Sequence, residues 1–115
     1  MNTPIFDFVK KYAESKTSRM HMPGHKGKGA LGCEQFDITE IDGADVLSVG
    51  GGIIGESEAN LTSLFATRQS FYSTEGSTLC IKAMLHLVSM GAQKNSVILA
   101  ARNAHKAFMH GAALL

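Results

Sequence analysis

The sequence predicts an α/β fold in which strand, helix, strand and helix follow one another toward the C-terminus. Phe71-Tyr72-Ser73-Thr74 is an aromatic, β-favouring run that breaks at Gly76. The residues from Ser77 to about Met90 are apolar nearly all round, the composition of a mostly buried helix. Val97-Ile98-Leu99-Ala100 reads as a second buried strand, and a further helix begins around His105. That order implies a right-handed crossover and a parallel strand pair covered on both faces. Two strands leave edges and faces uncovered, and Ala112-Ala113-Leu114-Leu115 carries no stop signal. The expectation is therefore a truncated α/β layer: residues 1–55 as an N-terminal helix and glycine-rich arm, residues 56–115 as the start of the α/β domain.

Each element has its own warrant. Thr3 before Pro4 is a helix start, and Ile5, Phe6, Phe8, Val9, Tyr12 and Ala13 recur at helical spacing opposite Lys10, Lys11 and Glu14. An amphipathic helix over about 4–15 follows. From Lys16 to Gly55 no period is sustained, and nine of the twelve glycines lie between Gly24 and Gly55. The segment is too varied for a linker, so it reads as an ordered, extended arm with function in it. Ser57 is positioned to cap a short helix to about Ala66, turning Ala59, Leu61, Leu64 and Phe65 toward a core. On the long helix, Thr78, Lys82, His86 and Ser89 form one polar stripe, and Gly91 ends it.

Length bounds the chain to about one small domain. A net charge of +1 supplies no basic field for nucleic acid, and no apolar run reaches the ~18 residues of a membrane span. Cys33 and Cys80 stand in no paired motif, consistent with reduced thiols. With no charged-then-apolar leader, a cytoplasmic location is expected.

The motif with most chemistry is Glu75-Gly76-Ser77-Thr78. A Gly-Ser-Thr turn opening a helix directs backbone N–H groups and two hydroxyls outward with the positive end of the helix dipole behind them, which is a phosphate seat. The plainer alternative is that Ser77 only caps the helix. His105, at the end of the second apolar run, has an aromatic face that could stack on a ring held by that seat; a solvent-facing loop histidine is the alternative. Lys106 could be an imine-forming lysine, though nothing around it demands that. Gly50-Gly51-Gly52-Ile53-Ile54-Gly55 satisfies the dinucleotide pattern GxGxxG after the short run Val46-Leu47-Ser48-Val49, with Glu75 twenty residues beyond. His21 and His25 are four apart, but Pro23-Gly24 removes the helix that would bring both to zinc; Cys33 nearby leaves a metal as one alternative, and hydrogen bonding within a loop, or facing a ligand without metal, is the favoured role. Gly24 to Gly29 lacks the Gly-Lys-Ser/Thr of a P-loop.

Taken together, Arg19-Met20-His21-Met22-Pro23-Gly24-His25-Lys26-Gly27, Asp37-Ile38-Thr39-Glu40-Ile41-Asp42, Gly76-Ser77-Thr78 and Arg102-Asn103-Ala104-His105-Lys106 occur in an order and spacing that resembles the major domain of the Orn/Lys/Arg decarboxylases. These are pyridoxal-phosphate enzymes of the aspartate-aminotransferase fold. The resemblance implies that Gly76, Ser77 and Thr78 hold the cofactor's phosphate and that His105 stacks on its pyridine ring. It also implies that the lysine carrying the cofactor and the aspartate on the ring nitrogen lie downstream, so that no catalytic residue is within this chain and Lys106 is not that lysine. His21, His25 and Lys26 are candidates for contact with substrate or a neighbouring subunit's site, and no metal is implied. The partners so implied are an amino-acid substrate, ornithine, lysine or arginine, and a second copy in a homodimer or higher oligomer. Two departures stand out: Glu75 places an anion where the family usually has a neutral residue, and Ala107 replaces a hydroxyl residue after His-Lys. A non-catalytic assembly fragment and a dinucleotide-binding module are the alternatives.

Overall fold

The computed structural model describes residues 2–115, which fall into two compact units divided between Tyr72 and Ser73. Its regular elements are helices: α1 (Pro4–Glu14), a 3-10 turn (Glu34–Phe36), α2 (Gly52–Leu64), α3 (Gly76–Met90) and α4 (Lys106–Ala112). The α/β expectation is thereby corrected, since there is no strand among the described residues. A strand exists only by pairing, and neither apolar run has a backbone partner. In the first run the Tyr72 N–H is donated instead to the Glu58 carboxylate at 2.8 Å, and the Tyr72 hydroxyl pairs with Ser57 Oγ at 2.8 Å.

In the first unit, α1 begins at Pro4 as its sequence requires, but Thr3 does not cap it. Thr3 donates its N–H and hydroxyl to the Asp7 carboxylate, both at 3.0 Å, so the acid one turn on reaches back to close the helix start. Ser15 ends the helix by turning extended and donating its hydroxyl to Tyr12 O at 2.7 Å. The side of α1 carrying Ile5, Phe8 and Val9 is half-buried, and Phe8 lies against Gly43, whose φ of +81° only glycine adopts without strain.

Helix α2 starts five residues before Ser57. Asp45 explains this: its Oδ2 accepts from Ile54 N–H at 3.1 Å and its Oδ1 from Val46 N–H at 2.8 Å, so a carboxylate reaching across the glycine run satisfies the helix start. The inward face is then Ile54, Glu58 and Leu61, while Ala59, Leu64 and Phe65, expected in a core, are exposed. Glu58 is the buried carboxylate of this unit and ties the 71–72 segment to α2. Glu58→Ala should destabilise the unit by about 1–3 kcal/mol, because it removes a charged acceptor and leaves Tyr72 N–H unpaired. Urea unfolding followed by circular dichroism reads that as a lower midpoint at unchanged slope.

In the second unit α3 packs on α4 through small residues. Ala107 is 2% exposed and Gly111 is buried. A Cβ at Gly111 would sit 2.7 Å from Leu85 Cδ1 and 3.5 Å from Lys82 Cγ, so glycine sets how closely the helices approach. No residue of α3 is buried, which corrects the expectation of a covered helix. Its partner has only seven residues and covers one stripe. The polar stripe is partly absorbed there: the Lys82 stem lies beside Gly111, and Ser89 Oγ donates to His86 O at 2.7 Å.

Candidate functional site

The arm is ordered from its tyrosine outward. Arg19 sits over the Tyr12 ring, its Cζ 4.8 Å from the centroid, and its Nη2 donates to Gln35 O at 2.7 Å. Tyr12 OH is 2.7 Å from His21 Nε2, while His21 Nδ1 bonds Met22 O. A carbonyl only accepts, so Nδ1 carries the proton of the neutral ring and Nε2 accepts from the tyrosine hydroxyl. His25 is held in the opposite tautomer. Its Nδ1 accepts from Gly27 N–H at 3.0 Å, and its Nε2–H donates to Asp37 Oδ2 at 3.1 Å. Lys26 donates from Nζ to His21 O at 2.6 Å. The three arm candidates are thus brought together, and each histidine spends both ring nitrogens on protein partners.

The chain reverses here through left-handed backbone at Lys26 (φ 55°) and Gly27 (φ 75°). Nearby, the Glu34 carboxylate accepts from Leu31 N–H at 3.0 Å, and that bond chiefly holds its pKa below the usual glutamate range. A depressed pKa contributes stability above the unfolded value that is lost as pH falls through the folded one. Exchange of the Leu31 amide should therefore gain an extra acceleration across the acidic range, and Glu34→Gln should remove that component.

In the second unit Gly76 opens α3 with φ +63°, and nothing lies within 4 Å of where its Cβ would be. Glu75 occupies the capping position but no side chain caps the helix; Ser73 Oγ accepts only from Glu75 N–H, at 3.3 Å. Ser77 lies inside the first turn, so it is not the cap. The Ser77 and Thr78 hydroxyls are exposed and form no hydrogen bond among the described residues. His105 is itself the cap of α4: its Nδ1 accepts from Ala107 N–H at 3.2 Å, which leaves the proton of the neutral ring on Nε2. The helices carrying Gly76–Thr78 and His105 are the two that meet at Gly111.

The dinucleotide reading fails on geometry. Leu47–Val49 form a turn closed by Val49 N–H to Val46 O at 3.0 Å, so no strand leads into the glycines. The helix start beyond them is taken by Asp45. Sequence reasoning missed Asp45, Asp37, Tyr12 and Glu58 as organising groups.

Comparison with known proteins matches residues 3–115 to the family Orn/Lys/Arg decarboxylase, major domain. The chain belongs to that family. It is 28% identical over 119 residues to the uncharacterized protein YaaO of Bacillus subtilis (strain 168), covering 96% of this chain and 24% of that protein. It is 29% identical over 117 residues to an arginine decarboxylase of the same strain, covering 93% of this chain and 23% of the relative. An arginine decarboxylase of Halalkalibacterium halodurans is 30% identical over 120 residues, at 93% and 23% coverage. This decarboxylase-family chain spans about a quarter of the length of these relatives. No solved structure matches it. No helix is long and apolar enough to cross a membrane among the described residues.

Proposed function

We propose that this chain supplies the phosphate-holding and ring-facing part of a pyridoxal-phosphate site in a decarboxylase of basic amino acids, with arginine the substrate its named relatives suggest. The observation that carries this reading is the start of α3, which has no side-chain cap and presents two unengaged hydroxyls in a decarboxylase-family chain. First-turn N–H groups without a side-chain cap, with the helix dipole behind them, suit a phosphate dianion. The open space at Gly76 leaves room for it to approach.

When bound, the cofactor ring supplies the electron sink that decarboxylation needs. The chain's own residues orient it. Gly76 N–H and the Ser77 and Thr78 hydroxyls would hold the phosphate, and His105, its ring turned by the bond to Ala107 N–H, would offer a face and one N–H donor. Glu75 opposes the phosphate electrostatically, and Glu75→Gln should raise affinity several-fold. His21, His25 and Lys26 contribute a preorganised loop for contact with substrate or a neighbouring copy.

One helix start and two hydroxyls give the isolated chain an affinity of about millimolar. Borohydride reduction with pyridoxal phosphate tests the assignment of roles. Lys106 should be labelled no faster than other exposed lysines; selective, stoichiometric labelling of Lys106 would make it the cofactor lysine and contradict this reading.

A further inference from the structure

We infer that the arm carries a pH-sensitive latch: protonation of His25 withdraws the acceptor that closes the 25–27 turn and hands the ring to Asp37, so the turn opens in acid. Every group in the latch lies between Tyr12 and Asp37, and it stands whether or not α3 holds a phosphate. In the closed arm His25 Nδ1 accepts from Gly27 N–H at 3.0 Å, and Nε2–H donates to Asp37 Oδ2 at 3.1 Å. The bond from Gly27 spans two residues and closes the turn as a side-chain oxygen does in an Asx turn. It spans Lys26 and Gly27 in left-handed backbone, at φ 55° and 75°, a conformation that strains the lysine. A cationic ring carries a proton on both nitrogens, so two N–H donors would meet at Gly27. The closed turn binds no proton at Nδ1 and the open one does, so falling pH favours the open turn.

The charges around the ring are arranged for this exchange. Asp37 meets Nε2 from just beyond the 3-10 turn, and Glu34, within that turn, feels the His25 charge. The Glu34 carboxyl is held below the usual glutamate range, chiefly by Leu31 N–H, so it stays ionised while histidine titrates. Cations stand at the turn itself. A Cβ at Gly27 would lie 2.4 Å from Arg19 Nη1, Lys26 and Lys28 flank the glycine in the chain, and α1 contributes only the Tyr12 hydroxyl, which is engaged with His21. A charged ring is therefore drawn to the carboxylates and repelled from the turn. The other engaged histidines differ. His21 Nε2 faces the Tyr12 hydroxyl, which accepts as readily as it donates, so a protonated His21 keeps both its bonds. His105 accepts from Ala107 N–H much as His25 accepts from Gly27, but no carboxylate pairs with it among the described residues. The His25 side chain is 27% exposed, open enough to take a proton from water.

Hydrogen exchange of the Gly27 amide and nitrogen-15 shifts of the histidine rings, followed together in the whole chain from about pH 8 to about pH 5, test this. The expected result is a roughly tenfold fall in Gly27 protection, the loss of one ordinary hydrogen bond, in step with the His25 ring and at unchanged helical circular dichroism. His25→Asn puts an oxygen that does not titrate near the place of Nδ1, and should keep Gly27 protected across the range. Asp37→Asn removes the charge that draws the proton, and should move the opening to lower pH. A Gly27 amide that keeps its protection while the His25 ring titrates would overturn the latch. So would a His25→Asn chain that opens at the parent's pH, an Asp37→Asn midpoint no lower than the parent's, or helical dichroism lost in step with the amide.

Discussion

Gly27→Ala releases the arm. The residue sits at φ 75°, where a Cβ costs roughly 1–2 kcal/mol, and that Cβ would lie 2.4 Å from Arg19 Nη1. Nη1 is buried without a hydrogen-bond partner among the described residues, so the guanidinium is held by stacking on Tyr12 and by the Nη2 bond to Gln35 O. Moving it aside sacrifices both, and a total of about 2–4 kcal/mol is expected. The Gly27 N–H that fixes the His25 tautomer is displaced in the same step. Nitrogen-15 spectra of the histidine rings should show His25 passing from one dominant tautomer to a mixture, with helix content preserved. An unchanged His25 signal would mean that the arm is held by other contacts.

Much of this was legible in the sequence where a signal is local. Pro4 and the apolar spacing after it placed α1, Gly91 ended α3, and His105 stood at the start of α4. The four ordered motifs pointed to the family that the whole-chain match shows. What failed was non-local. Val97–Ala100 has strand composition, but a strand needs a neighbour, and composition cannot supply one. The start of α2 depended on Asp45 reaching Ile54 across nine positions, a distance no cap rule spans. The arm's order came from Tyr12, which periodicity assigned only to an apolar stripe, and from Asp37, twelve residues beyond the histidine it orients.

The second large effect concerns the start of α3, where Ser77→Ala with Thr78→Val removes both hydroxyls while leaving the helix long and well formed. A hydrogen bond to a charged group contributes about 1.5–3 kcal/mol, so losing two should weaken phosphate-ester binding by about a hundredfold or more. Neither hydroxyl bonds anything else among the described residues, and helix content should not change. The decisive measurement is a phosphorus-31 and fluorescence titration of the chain and this double variant with pyridoxal phosphate and with pyridoxal. The chain should bind the phosphate ester in preference to pyridoxal, and the variant should lose that preference. Equal affinity for the two ligands in the chain, or a preference that survives in the variant, would contradict a phosphate seat at Gly76–Thr78.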